Sequence, residues 1–254
     1  MRHARLVASD VIAYTHRCLC GAGMILSLSH NFIFVHVPKA AGSALTLALR
    51  PYATTPQRSL WTSAKRRLPI VERPGAAHFR IHDSAARIRR KLSPEVYGRF
   101  HSFAAVRDPF DHAVSHYEYM KQYRSPRIAA RFARMSFEAY LAQRLERRGP
   151  FDRLFVRLPD QSHFLVDEQG RLAVDRLLRF EQLSADFRAL TDDLGLGEAQ
   201  LRTVNRTRSR SSSDARAYRD YYDATTEDMV RALYARDFDL LGYSDRLSGG
   251  AQMS

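Results

Sequence analysis

The stretch from Phe32 to Leu49, FIFVHVPKAAGSALTLAL, constrains this chain more than any other. An apolar run rich in Phe, Val and Ile stops at Pro38-Lys39 and restarts as a helical pattern, with Leu45, Ala48 and Leu49 at i, i+3 and i+4. A run of this length and composition fits a strand buried on both faces in a parallel sheet, and the spacing that follows fits a helix packed on it. Gly42 lets the backbone between them turn tightly and approach a ligand. The first amides of a helix beginning near Ser43 then point outward, and such an end attracts an anion. The segment is therefore read as strand, anion loop and helix.

The arrangement recurs downstream. HSFAAV, His101 to Val106, is a second short buried strand that ends at Arg107-Asp108-Pro109, and Phe110, Ala113, Val114 and Tyr117 predict a helix from Pro109 to about Tyr123. Ser84 to Leu92 reads as helical, and Ser93-Pro94-Glu95 opens another helix with Ser as cap and Pro at its first position. Phe137, Tyr140, Leu141 and Leu145 share one helical face. His163 to Val166 and Leu172 to Val174 flank a turn at Gly170 and read as a hairpin. A strand from Leu177 to Phe180 precedes a helix capped at Ser184 and stopped by Gly195, and Glu227 to Tyr234 is amphipathic. The Pro-rich region from Pro51 to Pro74 is expected to be loop with one short helix around Trp61. Strands alternating with longer helices imply an α/β fold, a parallel sheet flanked by helices.

The net charge of +13 on 254 residues favours anionic partners, from nucleic acid to acidic sugars and phosphorylated cofactors, and says nothing about fold. Ten Lys or Arg stand between Gln57 and Lys91 against Glu72 and Asp83, either a solvated basic face or a wall for an acidic acceptor. The stretch Arg206 to Ser213, RTRSRSSS, is expected to be a low-complexity loop. The two cysteines, Cys18 and Cys20, are too close to build a disulfide framework, which fits a reducing, cytoplasmic setting. With His16 they lack a second ligand pair, so no metal is expected. No run reaches the roughly 18 to 20 apolar residues that span a bilayer. Residues 1–23 are expected to be a poorly ordered extension, 24–246 one domain and 247–254 a disordered tail.

Nucleotide triphosphatase loops place Lys after the second Gly, in G-x-x-x-x-G-K-[ST]. Here Lys39 precedes Gly42, so the anion site is kept without the ATP pattern. FVHVPKAAGSAL resembles the 5′-phosphosulfate loop, P-K-x-x-G-[ST], of sulfotransferases that use 3′-phosphoadenosine 5′-phosphosulfate (PAPS), and VRDPFDHAVSHY resembles their 3′-phosphate motif, R-D-P-x-x-R-x-x-S-x-Y. RFEQLSADF and YARDFDLLGYS resemble the closing segments of the carbohydrate branch, sulfotransferase family 2-like, and the likeness is greatest to its soluble bacterial members. The resemblance implies a P-loop-like sulfotransferase fold and sulfuryl transfer from PAPS to a hydroxyl of a carbohydrate or glycan, acidic glycans included, without a metal. It implies that Pro38, Lys39, Ala40, Ala41, Gly42, Ser43 and Ala44 hold the 5′ end of the cofactor, and that Arg107 and Ser115 hold its 3′-phosphate. The alternative for Arg107 is an ion pair with Asp108. Two departures stand out: Ala44 where many members have a second Ser or Thr, and His112 where the motif usually has Arg. The first removes one hydroxyl donor to the 5′-phosphate; neither removes the core of the site, and reduced cofactor affinity is the expected cost.

Sulfuryl transfer puts negative charge on the departing phosphate, which Lys39 and the loop amides are placed to meet. The acceptor hydroxyl must lose a proton, and histidine is the natural base near neutrality. His82 resembles, in its position shortly before the Arg107 segment, the histidine of carbohydrate sulfotransferases; His78, on the same side if the segment is helical, is the second choice, and His36 is read as core. Two rival functions share some of these features. A kinase-like enzyme would use the same loop with ATP and magnesium, and a nucleic-acid-binding protein would use the charge. The scattered basic residues and the lack of basic-aromatic interleaving argue against nucleic acid.

Overall fold

The structure is a computed structural model that describes residues 24–55, 70–146, 160–197, 199–201 and 218–247. Outside these lie the expected extension with His16, Cys18 and Cys20, the helix around Trp61, the cluster Lys65-Arg66-Arg67, the loop Arg206 to Ser213 and the tail beyond Leu247.

Four strands, β1 (Ile25–Ser27), β2 (Phe32–Val35), β3 (His101–Val106) and β4 (Arg176–Arg179), form one sheet in the order β1-β2-β3-β4. β2 pairs in parallel with β3, Phe32 opposite His101 and Val35 opposite Ala104, and β3 pairs in parallel with β4. The short β1 adds an antiparallel edge that the sequence pattern did not single out. All four residues of β2 and the last five of β3 are buried, as strands covered on both faces require. Helix α1 (Gly42–Leu49) follows β2, with Leu45, Ala48 and Leu49 buried as the spacing predicts. Helices α2 (Ala85–Leu92) and α3 (Pro94–Tyr97) follow, capped by Ser84 and Ser93. Helix α4 (Pro109–Lys121) leaves β3, its start held by Pro109 and by the Asp108 carboxylate accepting from the Phe110 amide at 2.8 Å. The rest comprises α5 (Pro126–Ala133), α6 (Phe137–Glu146), α7 (Ser162–Leu165), α8 (Leu183–Asp193), α9 (Ala224–Leu233) and α10 (Ala235–Leu241).

Two hydrophobic clusters result. One joins the sheet to α1 and α2 through Phe32, Phe34, Leu45, Leu49, Ile88 and Phe103. The other packs α4 against α5, α6, α9 and α10 through Phe110, Val114, Phe132, Tyr140, Val230 and Phe238. The C-terminal ends of β2 and β3 lie side by side, so the residues that follow them, the 36–41 loop and Arg107, emerge at one edge. In open α/β sheets this is where ligands bind.

Three expectations are corrected. The hairpin-like turn at 163–174 is present, with Val166 and Leu172 in an antiparallel bridge and Gly170 at a φ of 80°, but its first arm is not a strand: Ser162–Leu165 is the helical turn α7. The cause is Asp237, whose carboxylate accepts from the amides of Gln161 at 2.9 Å and Ser162 at 2.7 Å and so nucleates a helix end there. Ser184 does not cap α8, which begins at Leu183 after a 3₁₀ turn, Phe180–Gln182. Leu145 is 40% exposed, while Arg144 beside it is buried because its guanidinium bonds Tyr234 at 2.7 Å.

Candidate functional site

The loop between β2 and α1 turns through Lys39 and Ala41, with φ of 64° and 59°, not through Gly42. Left-handed backbone at a residue with a Cβ costs roughly 1–2 kcal/mol, so two such residues in one loop are held there by their surroundings. Ala44 and Leu45 donate to Ala41 O at 3.0 and 3.2 Å, which leaves the amides of Gly42 and Ser43 at the open end of α1. No side chain caps that end and no acidic residue stands in the first turn. The helix therefore offers an uncompensated positive end. Pro38 and Ala40 are buried, so these two residues can serve a ligand through backbone rather than side chain.

Gly42 is needed for a different reason from the one its type suggests. A methyl placed on it would lie 1.8 Å from His36 Nε2 and 2.0 Å from His36 Cδ2. The imidazole packs directly on the glycine, its other neighbours being Phe34, stacked at 5.8 Å, and His82, edge-on at 4.6 Å. Burial, with His82 second, pushes the His36 pKa down to about 3, so the ring is neutral. His36 is thus core, as expected, but it is the piece of core that links the loop to His82.

Lys39 and Arg107 come together from opposite ends of the motif set. An Arg107 Nη1 donates to the Lys39 carbonyl at 3.4 Å, and the Lys39 ammonium sits 4.3 Å from the centre of the Tyr119 ring. Desolvation, and then the Arg107 charge, lower the Lys39 pKa to about 8. Two cations that destabilise each other at the positive end of a helix form a donor set suited to a polyanion. Arg107 stacks on Phe180 at 4.1 Å and gives its Nε to Asp111 Oδ2 at 2.6 Å. Its ion pair is with Asp111, one helical turn on, and not with Asp108, which caps α4; the i,i+4 spacing could have disclosed this. The backbone of Arg107 is clamped on both sides by Gln161, whose Oε1 accepts from the Arg107 amide at 2.8 Å and whose Nε2 donates to its carbonyl at 2.7 Å. No local pattern in the sequence marks Gln161. Ser115 lies two turns into α4 and is buried.

His82 Nδ1 is 3.1 Å from the His36 carbonyl oxygen. A carbonyl can only accept, so Nδ1 carries the proton in the neutral ring and Nε2 is the basic nitrogen. Desolvation lowers the His82 pKa below the usual value, while the bond to His36 and the Asp83 charge oppose the shift. His82 is therefore an unprotonated base at neutral pH, set against the loop through His36. His78 is elsewhere: its segment is not helical, its Nδ1 lies 3.9 Å from Glu72, and its carbonyl accepts from the buried Lys91 at 2.6 Å.

His112 points away from solvent. It is buried, with Nε2 2.9 Å from Pro38 O and Nδ1 3.1 Å from the Tyr234 hydroxyl. Of the basic stretch before Lys91, Arg87 pairs with Asp83, Arg89 with Asp167, Arg90 with Glu168 and Lys91 with Glu72, at 3.0, 3.8, 3.4 and 2.8 Å. Much of the described part of that stretch is therefore engaged within the fold. Among the described residues no group of His, Cys, Asp and Glu could hold a metal, and no helix is long and apolar enough to cross a membrane.

A model of the sulfotransferase family matches residues 23–244, a span that holds the loop, His82, the Arg107 segment and the closing helices. Comparison with curated proteins and with solved structures finds no match. The chain belongs to the sulfotransferase family, and its α/β sheet flanked by helices is consistent with the sulfotransferase fold.

Proposed function

We propose that this sulfotransferase takes its sulfuryl group from PAPS and delivers it to a hydroxyl of a carbohydrate, releasing 3′,5′-ADP. The observation that carries the reading is the approach of Arg107 to the Lys39 carbonyl at the open end of α1, near enough for its charge to lower the Lys39 pKa, a placement of two cations that suits an anion with two phosphate positions. PAPS is such an anion and supplies the sulfuryl group. Lys39, with the amides of Gly42 and Ser43, stabilises the charge that grows on the leaving 5′-phosphate. Arg107 holds the 3′-phosphate through the guanidinium N–H groups that Asp111 and the Lys39 carbonyl leave over, and Ser115 adds a hydroxyl from α4. His82 Nε2 takes the proton of the attacking hydroxyl, its ring oriented by the Nδ1 bond to the His36 carbonyl. The site residues are thus Lys39 and His82 for chemistry, and residues 38–44, Arg107 and Ser115 for the donor.

An acidic glycan is favoured by the net charge of +13, although the pairing of Arg87, Arg89, Arg90 and Lys91 reduces the cation surface open to it. A cytoplasmic setting accords with only two cysteines in the chain. The test is transfer of labelled sulfate from PAPS to a panel of neutral and acidic glycans. Wild-type protein transfers label, Lys39→Ala and His82→Ala bind 3′,5′-ADP but turn over poorly, and Arg107→Ala binds it weakly. A wild-type protein that neither binds 3′,5′-ADP nor transfers sulfate removes the proposal, and magnesium-dependent ATP binding in its place would support the kinase reading.

A further inference from the structure

The residue that departs most visibly from the family pattern, His112, makes a contact for which its side chain has one workable proton arrangement. Its Nε2 faces Pro38 O at 2.9 Å, and a carbonyl oxygen cannot donate. Nε2 must therefore carry the proton. Its Nδ1 faces the Tyr234 hydroxyl at 3.1 Å, and that oxygen already accepts from Arg144 Nη1 at 2.7 Å. With a lone pair of the tyrosine taken by a permanent cation, its own proton is directed to Nδ1. The chain of donors then runs one way, from Arg144 to Tyr234, to His112 and to the carbonyl of the residue before Lys39. Every bond in it is buried.

We propose that His112 is a positioning residue for the anion loop: from α4 it holds the Pro38 carbonyl, in a tautomer imposed by Tyr234 and Arg144, and so keeps Lys39 and Ala41 in the left-handed backbone the site requires. The loop has reason to need such a hold, since both residues carry a Cβ at positive φ. His112 is neutral across the working range, because burial, then Arg144, Arg107 and Lys39, press its pKa down to about 3. It acts on bound anion only through the loop. The inference rests on the sulfotransferase site proposed above for its nucleotide readout, and has a second readout that does not.

The experiment compares wild type with His112→Ala, His112→Gln and Tyr234→Phe. Hydrogen exchange is followed on the peptide covering residues 36–44, and 3′,5′-ADP affinity by calorimetry. Losing a buried donor to Pro38 O is expected to speed exchange in that peptide and weaken 3′,5′-ADP about tenfold or more in His112→Ala. His112→Gln places an amide donor where Nε2 stood and should recover most of both, which a loss of packing alone would not predict. Tyr234→Phe, which keeps the ring and removes only the hydroxyl, should fall between, and it carries the test if His112→Ala does not fold. Loop exchange and affinity unchanged in Tyr234→Phe and in folded His112→Ala, or His112→Gln no better than His112→Ala, would overturn the inference. If wild type does not bind 3′,5′-ADP, the proposed function fails while loop exchange still decides the role of His112.

Discussion

Gly42→Ala separates two forces that act on the same atom. Helix propensity alone favours the change, since alanine is better than glycine by up to about 1 kcal/mol in a helix, and Gly42 is not among the residues at positive φ. Packing opposes it. The new methyl would lie 1.8 Å from His36 Nε2, 2.0 Å from Cδ2 and 2.8 Å from Cε1, so the whole edge of a buried ring must move. The ring has little room, being stacked on Phe34 and set edge-on to His82 at 4.6 Å. Overpacking of this kind costs about 1–3 kcal/mol, and a methyl 1.8 Å from a buried ring belongs at the upper end, so after the propensity gain a net destabilisation of up to about 2 kcal/mol is expected in urea unfolding. Because the displaced ring belongs to the residue whose carbonyl orients His82, sulfate transfer should fall by more than the unfolded fraction explains. His36→Ala in the Gly42→Ala background vacates the space and should recover stability, giving a coupling of at least about 1 kcal/mol in a double-mutant cycle. A Gly42→Ala protein as stable as wild type, or additive effects of the two changes, would refute the packing argument.

The rate profile with pH should be bell-shaped in kcat/KM: activity falls on the acid side as His82 protonates, below the usual histidine value, and on the alkaline side as Lys39 loses its proton near pH 8. A dianionic donor raises the Lys39 pKa again, so the alkaline limb of kcat should lie higher than that of kcat/KM; coincident limbs would count against Lys39 as the group titrating. Gln161→Leu leaves the Arg107 amide and carbonyl without their partners, and calorimetry should show 3′,5′-ADP affinity reduced together with a stability loss of about 2–4 kcal/mol. Ala44→Ser returns a hydroxyl to the open end of α1 and should tighten 3′,5′-ADP about two- to tenfold, read by the same titration.

The backbone frame was legible because local rules and tertiary demands agree there. β2, the loop, α1, β3 and the start of α4 follow from runs, spacing and the cap Asp108-Pro109, and the structure brings Lys39 and Arg107 together at the ends of neighbouring parallel strands. The misreadings come where a distant group decides. The turn at Gly170 is where it was expected, but the arm before it is helical because Asp237, more than seventy positions away in sequence, pins the amides of Gln161 and Ser162. Leu145 looked like core by spacing, but the buried position went to Arg144 because Tyr234 needs its guanidinium. Gly42 was read as a turn residue, whereas the turn strain sits on Lys39 and Ala41 and the glycine makes room for a ring. A one-dimensional pattern cannot disclose a partner that topology supplies.

The same distinction explains why a histidine suits position 112. At the level of the motif, replacing Arg by His looks like a lost cation and hence a weaker anion site. In the fold the side chain faces inward, where Arg144 already stands on one side and Arg107 and Lys39 on the other, each disfavouring positive charge at that point. A guanidinium at 112 would add a fourth cation in a buried space, and burial of unbalanced charge costs several kcal/mol. Imidazole supplies the one thing the loop takes from this position, an N–H aimed at Pro38 O, and does so uncharged. Arg144, in α6, is the interior cation here, and in the proposed arrangement the tyrosine and histidine pass its orienting effect to the loop without bringing the charge there. Lys39 and Arg107 are left as the cations of the proposed anion site.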